Sequence, residues 1–157
     1  MLETSPVFEK IKKLLDENGI TYRLFEHEPV FTSEQAAKVR NTKMCQGAKA
    51  IIFKADDNPL LVVVPGDRRV DSKVFKKLYH IKDLRLLTAD EVKELTGLEI
   101  GAIPPFGSQM SLKTYCDQKV FENEEVVFNA GAHTKSIKMK SKDFLNLVKP
   151  IAGNFSI

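Results

Sequence analysis

Two apolar runs in the middle of the chain, Lys49 to Lys54 and Leu60 to Val64, are separated by the turn cluster Asp56-Asp57-Asn58-Pro59. β-Branched and aromatic residues suit a pleated backbone, and Asp, Asn and Pro suit a reversal, so the segment is predicted to be a β-hairpin. Neither run alternates polar with apolar residues. Continuous apolar strands are buried on both faces, which places the hairpin centrally in a sheet.

The flanking segments carry helix signals. Ser5-Pro6 opens a helix, since a serine oxygen caps free amides and proline fits the first turn; Val7, Ile11, Leu14 and Leu15 share a face, and Asn18-Gly19 ends it. Ile20, Tyr22 and Leu24 alternate with polar residues as a half-buried strand. Thr32 with Gln35 forms a capping-box pattern ahead of Ala36, Ala37 and Val39, and Thr88 with Glu91 forms a second one for a helix ending near Gly97. Asp71 to Leu78 is predicted helical and Leu84 to Leu87 extended. Two prolines make Gly101 to Gly107 a stiff loop. Val126 to Asn129 and Ser136 to Lys140 bracket a turn at Ala130 to His133, and a last helix runs from Ser141 to Pro150.

At 157 residues, residues 1–157 are expected to form one domain. With 43% hydrophobic and 29% charged residues the chain is of ordinary globular composition. Cys45 and Cys116 make no CxxC pair, so a disulfide scaffold is not expected and a reducing cytoplasm is. With Glu3, Glu9, Lys10, Lys12, Lys13, Asp16 and Glu17 in its first stretch, an apolar signal segment is not expected. The longest apolar run, Leu60 to Pro65, is far short of the roughly 20 residues of a membrane helix.

Common chemical fingerprints are absent. There is no GxGxxG, no GxxxxGK followed by Ser or Thr, and no GxSxG. His27-Glu28 begins like a zinc-protease motif, but Phe31 stands where the second histidine belongs and Pro29 breaks the required helix, so neither metal nor cofactor is expected. What remains is Lys49 opening an apolar strand, glycines in the loops Gly101 to Gly107 and Asn129 to Gly131, and two basic stretches. These are Lys135, Lys138, Lys140 and Lys142, and Arg68, Arg69, Lys73, Lys76 and Lys77. A strand-end lysine ordinarily snorkels to water and loop glycines ordinarily serve turns. Basic runs suit a polyanion or a solvated face, and the net charge is only +3.

The order of several segments is more specific than any one of them: His27-Glu28-Pro29-Val30 before a Glu-Gln-Ala-Ala helix, Gln46-Gly47-Ala48-Lys49-Ala50, Gly101-Ala102-Ile103-Pro104-Pro105-Phe106-Gly107, and Phe128-Asn129-Ala130-Gly131 before Lys135-Ser136-Ile137. From about Phe8 to Lys149 the chain resembles the YbaK and prolyl-tRNA synthetase-associated editing domain family, closest to its free-standing YeaK-like deacylases. The resemblance implies a single α/β domain with a curved mixed β-sheet, barrel-like at its core and flanked by helices. It also implies hydrolysis in trans of the ester of a wrongly charged aminoacyl-tRNA carrying Ala, Ser, Thr or Cys, without a metal.

The resemblance puts the functional lysine at Lys49, holding the terminal adenosine's phosphate or ribose, with water activated partly by the substrate. Gly101 and Gly131 become amide donors near the reacting ester. Ile103, Pro104, Pro105, Phe106, Gly107, Asn129, Ala130 and Ser136 become pocket walls, and His27 and Thr32 its rim. Arg68, Arg69, Lys135 and Lys138 are expected along the acceptor stem. The alanine-specific branch carries His-Pro-Leu where this chain reads Gly131-Ala132-His133-Thr134, so His133 does not inherit that role and is expected to face solvent. The implied partner is the acceptor end of aminoacyl-tRNA, not DNA or a membrane, with a homodimer left open. The alternatives are a non-catalytic module that binds tRNA ends or nucleotides, and a small-molecule binding domain.

Overall fold

A computed structural model describes residues 5–157. Helix α1 (Pro6–Glu17) starts where Ser5 Oγ accepts the Phe8 N–H at 3.1 Å, and turns Val7, Phe8, Ile11 and Leu15 inward. Strand β1 (Tyr22–Glu26) follows. Helix α2 (Ser33–Arg40) is capped by Thr32 Oγ1, which accepts the Gln35 N–H at 3.0 Å. The expected reciprocal bond differs: Gln35 Oε1 accepts the N–H of Phe31, at 3.0 Å, one residue before the cap.

Strands β2 (Ala48–Ala55) and β3 (Asn58–Pro65) form the predicted hairpin, with Asp56 and Asp57 at φ 45° and 71° in its two-residue turn. Both central positions of such a turn need positive φ, which Asp tolerates better than most side chains. Helix α3 (Ser72–Leu78) is capped by Asp71. Strand β4 (Leu84–Leu86) leads to α4 (Ala89–Thr96), whose Thr88–Glu91 capping box closes in both directions. Then come β5 (Lys113–Asp117), β6 (Glu125–Asn129), β7 (Lys135–Lys140), α5 (Ser141–Val148) and β8 (Ile151–Gly153).

The strands make two sheets, ordered β1-β7-β6 and β4-β2-β3-β5-β8. The first is wholly antiparallel. The second is mixed, because β3 pairs antiparallel with β2 but parallel with β5, which in turn pairs parallel with β8. The expectation of a barrel-like core is corrected here: the sheets do not close, and they meet through a single parallel bridge between Gly47 and Val127. The reason is on the outer edge of β2. Its far half, Phe53 to Ala55, is taken by β4, so β6 can touch that edge only at its start.

The hairpin is apolar throughout because each face has its own core. Leu61 and Val63 join Phe8, Ile11, Phe106, Phe128 and Phe144 on one side. Leu60, Val62 and Val64 join Phe53, Phe75, Tyr115 and Phe155 on the other. The second core is closed by the residues after β8, which are tied to the end of β5. Asp117, 1% exposed, accepts the N–H groups of Phe155 at 2.8 Å, Ser156 at 2.9 Å and Lys119 at 3.0 Å.

A buried amide left without its acceptor costs roughly 1–3 kcal/mol. Asp117→Ala is therefore expected to lower stability by about 3 kcal/mol, seen as a lower urea midpoint, and to release the Phe155 ring from the second core. An unchanged midpoint would show that the carboxylate does not hold the segment.

Candidate active site

Where the two sheets diverge from the Gly47–Val127 bridge, a cavity of about 620 Å³ opens, part of it continuous with solvent. Gly47 to Ala50 line it from the start of β2, Phe31, Thr32, Ser33, Ala36, Ala37 and Arg40 from α2 and the turn before it, Phe128 and Asn129 from the end of β6, and Gly101 and Ile103 from the loop. Two glycines let backbone pack on backbone here. Gly66 donates to the Gly47 carbonyl at 2.8 Å, and a Cβ on Gly66 would stand 2.6 Å from the Met44 carbonyl oxygen.

The cavity is cationic. Lys49, Arg40 and Lys43 line it, and among its described lining residues there is no Asp or Glu. Lys49 is half-buried and its Nζ donates to the Arg68 carbonyl at 2.7 Å. Burial lowers its pKa from the ordinary 10.5, partly opposed by the nearby Asp67 carboxylate.

Arg40, 7% exposed, ends α2 and has no carboxylate partner among the described residues. Its Nε donates to Ser136 Oγ and its Nη2 to Asn129 Oδ1, each at 2.8 Å. Burial pulls its pKa down to about 10. Asn129 Nδ2 in turn donates to the Gly101 carbonyl at 2.6 Å. One guanidinium thus ties α2, β6, β7 and the 101–107 loop together.

Of the residues singled out in the sequence, Lys49, Thr32, Gly101, Ile103 and Asn129 line this cavity. His27 and Ser136 lie one layer behind: His27 Nε2 meets Ser136 Oγ at 2.7 Å, the oxygen that Arg40 also contacts. That pair has the spacing of a nucleophile and its base, yet Ser136 is fully buried, so it is a brace for Arg40. Ala130, Pro104, Pro105, Phe106 and Gly107 are buried outside the lining, with Phe106 against Phe128 and Phe144 in the first core.

Gly131, at φ 86°, also lies away from the cavity: a Cβ there would stand 2.7 Å from Ser5 Oγ and 3.3 Å from the Phe8 nitrogen, at the start of α1. Gly101 shares that φ but is exposed and at the cavity. Among the described residues no acceptor lies opposite its N–H.

Two expectations about exposure are corrected. His133 does not face solvent: it is 9% exposed, its Nε2 is 2.9 Å from the Ile100 carbonyl, and its ring centroid lies 4.8 Å from that of Phe31. Since a carbonyl only accepts, that Nε2 carries the proton. Nor do the lysines of β7 form one solvated stripe. Lys135 is 5% exposed, ion-paired with Glu26 at 3.3 Å and over the Phe8 ring, whereas Lys138 is half-buried over Phe25. Arg68 is half-buried and Arg69 exposed.

Sequence reasoning missed Arg40, Gly66 and Thr42. Arg40 read as an ordinary basic residue at a helix C-terminus, where cations are favoured. Burial marks out the other two: the Thr42 Oγ1 beside the cavity is shielded from solvent and has no hydrogen-bond partner among the described residues. Among the described residues no cluster of three His, Cys, Asp or Glu could hold a metal, and burial pushes the Cys116 thiol pKa up.

The profile of the aminoacyl-tRNA editing domain matches residues 27–147. The multifunctional Ser/Thr-tRNA deacylase ProXp-y of Escherichia coli K12 is 35% identical over 99% of this chain and 96% of its own. A proline–tRNA ligase of Bacillus subtilis is 37% identical over 54% of this chain, a stretch that is 15% of the ligase. A crystal structure described as that of a candidate trans-editing enzyme for prolyl tRNA synthetase superposes with a TM-score of 0.85 at 25% identity, over 99% of both chains.

The environment of Lys49 sets a sign that can be measured. Its pKa is depressed, so between that value and 10.5 the unfolded chain binds more protons and folding stability rises with pH. Asp67→Asn removes the opposing carboxylate and is expected to drive the Lys49 pKa lower still, followed through its side-chain carbon resonance. An upward shift would contradict this account.

Proposed function

The chain belongs to the aminoacyl-tRNA editing domain family, and from that premise we propose that it removes a small amino acid from a wrongly charged tRNA, acting in trans. The observation that carries this reading is the likeness over 99% of the chain to a protein named as a Ser/Thr-tRNA deacylase. The reaction is hydrolysis of a carboxylic ester. Water adds to the carbonyl carbon, the bond to the terminal ribose oxygen breaks, and that oxygen leaves as a hydroxyl after gaining a proton.

The lining suits attack by water. It holds the hydroxyls of Thr32, Ser33 and Thr42, but among the described lining residues no histidine or carboxylate to act as base. That leaves a role for the substrate's own groups in activating the water. Lys49 orients the tRNA end, anchored through the Arg68 carbonyl at the start of the double-arginine stretch. The Gly101 N–H is the donor offered to the oxyanion, and a preorganised donor of this kind contributes on the order of 10²–10³ in rate. Arg69, Arg68 and Lys138 are the basic residues left for the acceptor stem, with Lys135 turned inward. A cytoplasmic location goes with that substrate; among the described residues no helix is long and apolar enough to cross a membrane.

Seryl and threonyl esters are the proposed substrates. Ala36, Ala37, Ala48 and Ala50 line the cavity with short apolar side chains. Thr42 lines the cavity and its hydroxyl has no hydrogen-bond partner among the described residues; a site that hydrogen-bonds a substrate hydroxyl discriminates against analogues lacking it.

The deciding experiment is deacylation of a panel of mischarged tRNAs by the wild-type protein and by Lys49→Ala. Misplacing an ester by about 1 Å can cost on the order of 100-fold in rate, so Lys49→Ala is expected to lose at least that much while keeping the wild-type circular dichroism. Wild-type rates from the folded variant would take the catalytic role from Lys49. Binding without hydrolysis by the wild-type protein would favour a non-catalytic module for tRNA ends.

A further inference from the structure

Arg40 has no carboxylate counter-charge among the described residues, although it is only 7% exposed. A buried guanidinium with only neutral partners is costly, because charge burial is ordinarily matched by a carboxylate or another anion. Ser136 and Asn129 satisfy Nε and Nη2. Nη1 has no acceptor among the described residues and lies 3.9 Å from where a Gly47 Cβ would stand. Gly47 has none, and it lines the same cavity. The bare backbone of Gly47 therefore places no side chain between the cavity and Nη1.

The charge of the lining narrows what fills that space. With Lys49 and Lys43 also present and no acidic lining residue described, the cavity repels a cation and attracts an anion. In an aminoacyl ester the amino acid brings a cationic amine and an esterified, uncharged carboxyl. The anion at that end of the substrate belongs to the nucleotide.

We propose that Arg40 is the buried anchor of a phosphate-binding site in the cavity, receiving the phosphate of the substrate's terminal nucleotide on Nη1 while Ser136 and Asn129 hold the guanidinium plane fixed. Arg40 acts as a positioning residue: it sets where the ester lies relative to Lys49 and Gly101. Naming the nucleotide rests on the deacylase reading; the anion site itself rests on the geometry. A diester within a chain and a free nucleotide monophosphate offer the same chemistry.

The test uses adenosine, adenosine 5′-monophosphate and the dinucleotide cytidylyl-adenosine as probes of the wild-type protein and of Arg40→Gln. Both phosphate-bearing probes are expected to bind at least tenfold more tightly than adenosine, with the dinucleotide the stronger if the internal diester is the natural ligand and the monophosphate the stronger if a free nucleotide is. In Arg40→Gln the preference for phosphate is expected to fall to about twofold or less, and KM for mischarged tRNA to rise more than kcat falls.

Because the variant also loses the Ser136 brace, a second readout uses the wild-type protein alone. The Arg40 side-chain nitrogen resonances are expected to shift on adding the monophosphate and not on adding adenosine. Equal affinity for adenosine and its phosphates, silent Arg40 resonances, or binding of free serine in preference to the nucleotides would each overturn the proposal. Phosphate preference in a protein that hydrolyses no aminoacyl-tRNA would retain the anion site and remove the deacylase reading. Hydrolysis without phosphate preference would do the reverse.

Discussion

The buried guanidinium of Arg40 is the constraint around which the cavity end of the molecule is arranged. It leaves the end of α2, crosses to Ser136 on β7 and Asn129 on β6, and through Asn129 fixes the carbonyl of Gly101. Charge-assisted hydrogen bonds of this sort are stronger than neutral ones, so the three walls of the cavity are mutually oriented by one side chain. His27 and Ser136, which resemble catalytic partners in spacing, instead complete that orientation from behind.

The cavity is also a product of incomplete closure. Had the outer edge of β2 been free along its length, β6 could have continued alongside it from the Gly47–Val127 bridge and sealed the two sheets together. The stretch from Phe53 to Ala55 is engaged by β4 instead. The sheets separate just where Ala48, Lys49 and Ala50 emerge, and backbone bearing no side chain at Gly47 and Gly66 fills the seam. The short parallel pairings on the opposite edge, β3 with β5 and β5 with β8, keep the second face of the hairpin covered without competing for that space.

The hairpin, both threonine caps and the glycine-ended α4 were legible in the sequence because each is specified within a few neighbouring residues. Strands β5 and β8 were not. Lys113 to Asp117 carries no simple alternation, and Ile151 to Gly153 is three residues long; both become strands through partners distant in sequence. The site was legible to the extent that the order of segments marked Lys49, Gly101 and Asn129. Arg40 and Thr42 escaped because their significance lies in what surrounds them, an absent carboxylate and an absent hydrogen-bond partner, which a residue's own identity does not reveal. The same blindness made Lys135 look like a surface charge, when Glu26 and Phe8 lie far from it in sequence.

The order in which the five-stranded sheet is assembled has a consequence for synthesis. Its apolar centre, β2 and β3, is made by residue 65, but the second neighbour of β3 comes at residues 113–117 and the ring of Phe155 that caps the second core comes later still. A chain emerging in order would carry Leu60, Val62 and Val64 without the cover of Tyr115 and Phe155 until almost all of residues 5–157 had been made. Pairings of this kind are slow to form and leave unpaired apolar edges open to other chains. Efficient production of this domain should therefore depend more on protection of a nascent hairpin than on the stability of the finished fold.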